Sequence, residues 1–345
     1  MTASPAILQA LAAAALFGAS APLAKLLLAQ SSPWLMAGLL YAGSGLGLLL
    51  WRLITRAPSV RMPKGEVRWL ALAILSGGVI APVLLMQGLA QMPASGASLL
   101  LNAEAVLTAV IAWVVFRENA DRRIVLGMVA IVAGAVVLAG GDASGFGGIG
   151  PAALVLGACL CWAVDNNLTR QVSLTDASFI AMAKGLAAGG VNLLLAWQTG
   201  AAWPGLGVAA AAGLLGLLAY GVSLVLFVVA LRALGTARTG AYFSVAPFFG
   251  AALSVWLLGE PVTAPLLLGG ALMALGVWLH VTEQHGHAHT HTPLEHRHAH
   301  VHDTHHQHLH DADAPPDERH THWHRHAPLT HTHAHFPDAH HRHPH

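Results

Sequence analysis

AVLTAVIAWVVFRE, residues Ala105–Glu118, and PFFGAALSVWLLGE, residues Pro247–Glu260, are two versions of one stretch of chain. Each is an apolar run that carries a tryptophan near its end and closes on a glutamate. The correspondence continues outward at an offset of about 142 to 146 residues. Leu126-Gly127 and Gly134 fall on Leu268-Gly269 and Gly276. Phe17 and Lys25 fall on Trp162 and Arg170, and the Leu-rich run ending at Trp51 falls on the one ending at Trp197. The chain is a duplication, and its fold turns on how many times each copy crosses a membrane.

A membrane is the required solvent. Of 345 residues, 55% are apolar and only 10% charged, a balance foreign to soluble domains. Apolar stretches of about 20 residues, enough to cross a hydrocarbon core about 30 Å thick, recur between short polar connections. Ten are expected, all α-helical. The first five are Pro5–Leu28, Trp34–Ile54, Trp69–Met92, Ala94–Phe116 and Ile124–Gly140. The second five are Pro151–Gln171, Phe179–Gln198, Val208–Leu231, Ala241–Leu258 and Pro265–Val281. Pro22, Pro82 and Pro247 lie inside spans, where neighbouring helices can satisfy the backbone groups that proline frees. Five is odd, so the second copy enters the bilayer from the opposite side, and the halves form an inverted repeat. That is the sequence signature of secondary transporters, with a central site between the repeats.

Basic residues set the orientation. Arg52, Arg56, Arg61, Lys64 and Arg68 follow span two, Arg117, Arg122 and Arg123 follow span four, Arg170 follows span six, and Arg232 and Arg238 follow span eight. The alternate connections, around Ser31, Pro93, Asp142, Gly200 and Glu260, carry none. Both termini are therefore expected on the cytoplasmic side of a cell (inner) membrane. Ala19-Ser20-Ala21 could pass for a leader cleavage site, but no basic segment precedes it, so span one is expected to be retained. Cys159 and Cys161, two apart on a helix, point to nearly opposite sides and read as small packing residues.

Charges within spans call for a partner or a task, because each costs about 2.5 to 3.5 kcal/mol to insert. Asp165 and Lys184 sit at similar depth on spans six and seven and are expected to pair. Asn166 and Asn167 add hydrogen-bonding capacity, with at least one facing the interior. Glu104, close to the midplane with no basic residue at its depth, is the leading candidate to carry a proton or to meet a cationic group on substrate. Asn102 points away from it. Trp162 and Tyr220 could line a cavity for a substrate with an apolar portion. Lys25, near the end of span one, is expected to snorkel to the interface. The body shows no nucleotide loop, zinc-protease or nucleophile pattern, so it is not expected to be an enzyme.

Residues Phe17-Gly-Ala-Ser-Ala-Pro22 with Lys25, Pro247–Glu260, and Glu118 in the partner position of span four resemble the drug/metabolite transporter superfamily, specifically its EamA type. The resemblance covers about residues 5 to 281 and implies a permease of two five-helix halves. The family's usual proline in span four is Ala105 here, preceded by Glu104, which shifts interest there from a kink to a charge.

Every one of the 24 histidines lies at or beyond His280. The domains are thus expected at 1–141 and 142–281 for the two repeats and 282–345 for a His-rich tail, disordered without metal. The tail repeats too, Pro293–His308 resembling Pro328–His343. Neutral imidazoles at His-x-His spacing suit zinc, nickel or cobalt. The candidate ligands are His296, His298, His300, His305, His306, His331, His333, His335, His340 and His341. No cofactor is required for transport itself.

The expected function is a secondary permease, an exporter of small organic metabolites or drug-like solutes, with an accessory metal-binding tail. Its partners would be the lipid bilayer, a small-molecule substrate, transition-metal ions and a second copy in a homodimer, with no nucleic acid. Two other readings stay open: a transition-metal transporter whose tail collects the ion, and a membrane-anchored metal sensor.

Overall fold

The computed structural model describes residues 5–60, 62–116, 122–140, 148–172, 175–234, 236–282, 286–291, 294–300, 320–326 and 329–334. It resolves into two units, 1–283 and 284–343, the first also taking in the last two residues. In the first unit every regular element described is a helix.

Span one is α1 (Pro5–Gly18) and α2 (Ser20–Leu28), and span two is α3 (Pro33–Ile54). Span three runs through α4 (Lys64–Ala73), a π-helical turn at Ile74–Ile80 and α5 (Ala81–Gln91). Span four is α6 (Ala94–Leu100) and α7 (Ala103–Phe116), and span five is α8 (Arg122–Ala139). Spans six and seven are α9 (Ile149–Thr169) and α10 (Ala177–Gln198). Span eight is α11 (Leu206–Gly216), a second π-helical turn at Leu217–Val222 and α12 (Ser223–Leu234). Span nine is α13 (Thr236–Phe243) and α14 (Ala246–Leu258), and span ten is α15 (Ala264–Val281). Among the described residues nine stretches are long and apolar enough to cross a bilayer, and the shorter Ala246–Leu258 is the apolar part of the ninth span in sequence.

Local signals set the helix ends. Ser32, Asp176 and Thr263 accept from backbone N–H groups three residues on, at 3.3, 2.9 and 3.3 Å, as N-caps of α3, α10 and α15. Pro33 and Pro265 occupy the first turns, where their missing N–H costs nothing. Gly259 stops α14 in the left-handed conformation, φ 64°.

The duplication is visible in the irregularities. The π-turns of spans three and eight occupy corresponding positions, and so do the breaks in spans four and nine, at Leu101–Asn102 and Ser244–Val245. Two expectations need correction here. Span nine is not one helix from Ala241. Span four, without the proline, is broken all the same. The break is made by a tightened turn: Asn102 N donates to Leu99 O at 3.0 Å and Glu104 N to Leu101 O at 3.1 Å. The Asn102 side chain also donates to Leu99 O at 2.9 Å, so a local side-chain bond supplies what proline supplies in span nine.

Equivalent spans pack on one another by close backbone approach. Where α8 meets α15, a methyl added to Gly134 would stand 2.8 Å from Gly269 O, and one on Gly276 2.6 Å from Gly127 O. These four glycines are the matched pairs of the repeat, so the contact is self-complementary, as across a two-fold axis. Where α3 meets α10, Gly45 and Gly185 leave no room for a Cβ on either helix.

In the second unit, β1 (Gly286–His291) pairs antiparallel with β4 (Leu329–Ala334), and β2 (Leu294–His300) with β3 (His320–His326).

Candidate functional site

The break in span four puts Glu104 in the first turn of α7, at the positive end of that helix's dipole. Asn166 on α9 donates to Glu104 Oε1 at 2.8 Å and reaches Thr108 Oγ1 at 3.4 Å. Asn167 turns inward instead, buried, donating to Thr108 O at 3.3 Å and Ala163 O at 2.9 Å. The two asparagines fasten α9 to α7, one by a side chain and one by the backbone. Asn102 is also buried and bonded within its own turn, away from Glu104.

The residue before Asn166 on α9, Asp165, faces Lys184 at 2.5 Å. Thr169 completes a triangle: Lys184 Nζ donates to its hydroxyl at 2.9 Å, and the hydroxyl donates to Asp165 Oδ1 at 2.8 Å. Gly77, in the π-turn of span three, lies against this cluster. A methyl there would overlap Asp165 Oδ2.

The same π-turn is held by side chains. Its i→i+5 bonding leaves carbonyls pointing outward. Tyr41 Oη and Trp162 Nε1 both donate to Gly77 O at 2.9 Å, and Asn192 Nδ2 donates to Gly78 O and Val79 O at 3.3 Å each. Trp162 is therefore an anchor of the turn as well as a candidate wall. From it a row of rings crosses both halves. Trp162 Nε1 lies 3.4 Å from Tyr41 Oη. Ring centroids are then 5.7 Å apart for Tyr41 and Tyr220, 5.9 Å for Tyr220 and Phe17, 5.4 Å for Phe17 and Phe243, and 5.0 Å for Phe243 and Phe227.

Contacts thus join Glu104 to Asn166, Asp165 to Lys184, and Trp162 through Tyr41 to Tyr220, while Gly77 lies against both Asp165 and Trp162 and Asn167 is buried. Sequence reading did not single out Tyr41, Phe17, Phe243, Thr108, Thr169 or Gly77. A faint signal existed, because Phe17 matches Trp162 in the repeat.

Lys25 reaches the end of span three. Its Nζ donates to Leu89 O at 2.6 Å, Met92 O at 3.1 Å and Ala90 O at 3.2 Å, capping the end of α5. Just beyond, Glu260 accepts from Ala94 N at 2.6 Å and Ser95 N at 2.8 Å, capping the start of α6. The short corner between spans three and four is gripped from both sides. At the other end of the bundle, Arg52 on α3 meets Asp176 at 2.8 Å, Ser178 Oγ at 2.5 Å and Pro58 O at 2.8 Å. Burial alone would raise the Asp176 carboxyl. The bonds from Ser178 and Phe179 N–H and the Arg52 guanidinium outweigh it and hold the group below its ordinary value.

His296, His298 and His300 lie on β2, and His331 and His333 on β4. The register sets His331 and His333 opposite His289 and His287, and His296, His298 and His300 opposite His324, His322 and His320. His305, His306, His335, His340 and His341 lie outside the described residues, as does Glu118.

Comparison with known proteins agrees with this layout. The EamA-like transporter family matches residues 4–140 and, a second time, 150–282. A protein of Methanothermobacter thermautotrophicus, described as an uncharacterized transporter, is 29% identical over 288 residues, covering 76% of this chain and 82% of its own length. A solved crystal structure superposes with a TM-score of 0.59 at 19% identity, over 81% of this chain and 96% of that one, a likeness of fold alone.

Proposed function

We infer, for a chain that belongs to the EamA-like transporter family and is therefore a multi-pass membrane transporter, a proton-coupled permease of small organic solutes. The observation that carries this reading is Glu104, a carboxylate at a helix break inside span four, held by the neutral donor Asn166. Charge at such a place is costly and earns its position by changing. In the cycle we propose, Glu104 alternates between a protonated form and a carboxylate that receives solute, while the repeats open the site to one side and then the other. Asp165 and Lys184 hold α9 to α10 beside it. Trp162, Tyr220 and Asn166 shape the path. The positive-inside pattern supports placement in the cell membrane with both termini cytoplasmic.

We further propose that the tail binds zinc, nickel or cobalt as an accessory to transport, supported by the His-x-His spacing of its sequence.

Proteoliposomes holding a pH-sensitive dye test the reading. A panel of amines, amino acids and organic acids is applied to full-length protein, to Glu104→Gln and to a form ending at Val281. Saturable, solute-dependent proton movement that Glu104→Gln abolishes is expected, with little change on truncation. Proton movement indifferent to Glu104 would overturn the assignment. Saturable flux of zinc, nickel or cobalt through the body would make the metal the cargo instead.

A further inference from the structure

We propose that the solute taken by this site is an organic cation with an aromatic or apolar body, of the class of protonated arylalkyl amines; this rests on the permease reading above.

The argument is a charge account of the site. Lys184 is the cation whose charge reaches Glu104 among the described residues, and its ammonium is already committed to Asp165 and Thr169. Lys25 is spent on three carbonyls and Arg52 on Asp176 and Ser178, both toward the ends of the bundle. Asp165 is neutralised by Lys184, and Glu260 is occupied by two backbone amides. What remains is the carboxylate of Glu104, held by one amide and by the first turn of α7. An anionic solute would meet that charge with every nearby cation engaged, whereas an ammonium would supply the missing partner.

The walls select the rest of the molecule. Tyr41 and Trp162 have given their polar ends to Gly77 O, so what they can offer a ligand is ring surface. Trp162 stands one helical turn from Asn166 on α9, and hence beside the carboxylate. Beyond it Tyr41, Tyr220, Phe17, Phe243 and Phe227 continue in unbroken ring contact. Ring faces attract both apolar surface and cations within about 6 Å of their centroids. A carboxylate at one end of an aromatic row fits a head and body of this polarity. A sugar or polyol would leave its hydroxyls unpaired along the same row.

A charge series on one body provides the test. Binding of 3-phenylpropylamine, 3-phenylpropanol and 3-phenylpropionate to full-length protein in nanodiscs is measured by calorimetry at pH 7.5. The amine should bind at least about tenfold tighter than the alcohol, and the acid weakest. Glu104→Gln should bring the amine down to the alcohol and leave the alcohol unchanged. Tyr220→Leu should weaken amine and alcohol alike. The proposal is overturned if the acid equals or exceeds the amine, if Glu104→Gln leaves the preference intact, or if none of the three binds. The permease reading is judged separately, because its proton-movement panel includes solutes of every charge. Proton movement with amino acids or organic acids but not amines would keep the permease and reject the cation.

Discussion

Replacing Lys184 by methionine removes the partner of a carboxylate that has almost nowhere else to turn. The Asp165 side chain is 9% exposed and that of Lys184 18%, and the two meet at 2.5 Å. Without the ammonium, Asp165 keeps the Thr169 hydroxyl, one neutral donor for a buried charge. Breaking a buried pair from one side costs about 3 to 5 kcal/mol, whereas replacing both partners by neutral groups of similar volume is close to neutral. Lys184→Met should therefore cost about 4 kcal/mol. Asp165→Asn should cost about 2 to 3, because Lys184 retains Thr169 and more solvent. The double variant should fall within about 1 kcal/mol of the parent, giving a coupling of about 4 kcal/mol or more. Unfolding in mixed micelles, followed by tryptophan fluorescence over a denaturant series, measures all four corners of the cycle. A double variant as unstable as Lys184→Met, or a coupling under about 1 kcal/mol, would refute the reasoning. A stable double variant that no longer transports would show that the pair serves the cycle as well as the fold.

Other perturbations follow from the same geometry. Gly77→Ala should disturb Asp165 and destabilise by about 1 to 3 kcal/mol through overpacking, with a loss of transport that Ser76→Ala, one residue away, does not reproduce. Lys25→Met should cost about 1.5 to 3 kcal/mol by uncapping α5, and Lys25→Arg should recover most of it, both read by thermal unfolding in detergent. Glu260→Gln, with a single carbonyl for two amides, should cost about 1 kcal/mol in the same assay. Asp176 is held below its ordinary value, so its contribution is fully present above that value and fades as pH falls through the lowered one. Stability should therefore decline below about pH 4, and Asp176→Asn, which keeps the N-cap, should lack that step; an unchanged acid limb would count against the Arg52 pair.

How much of this was legible depended on the range of the interaction. Span count and inversion follow from hydropathy and the spacing of matched residues, because a bilayer enforces both locally. Asp165 and Lys184 could be paired because a short connection sets their helices side by side at similar depth. The break at Leu101–Asn102 was missed because it is made by an asparagine turn rather than by proline. Tyr41, Phe17 and Phe243 were invisible as a group, since an aromatic row spanning four helices depends on lateral packing that periodicity does not encode. The acceptors of Lys25 were not legible because they are backbone carbonyls some 64 to 67 residues away, and any sequence could provide them.

The matched glycines that seat α8 against α15 form the kind of contact two separate, identical halves would make. In such a pair every side chain near the axis occurs twice. A carboxylate at position 104 would then be present as two copies. Joining the halves in one chain lifts that obligation. The counterpart of Glu104 in the second repeat is Ala246, which is buried and cannot ionise. The fused chain can therefore carry one carboxylate at this position of the repeat where two identical halves would carry two.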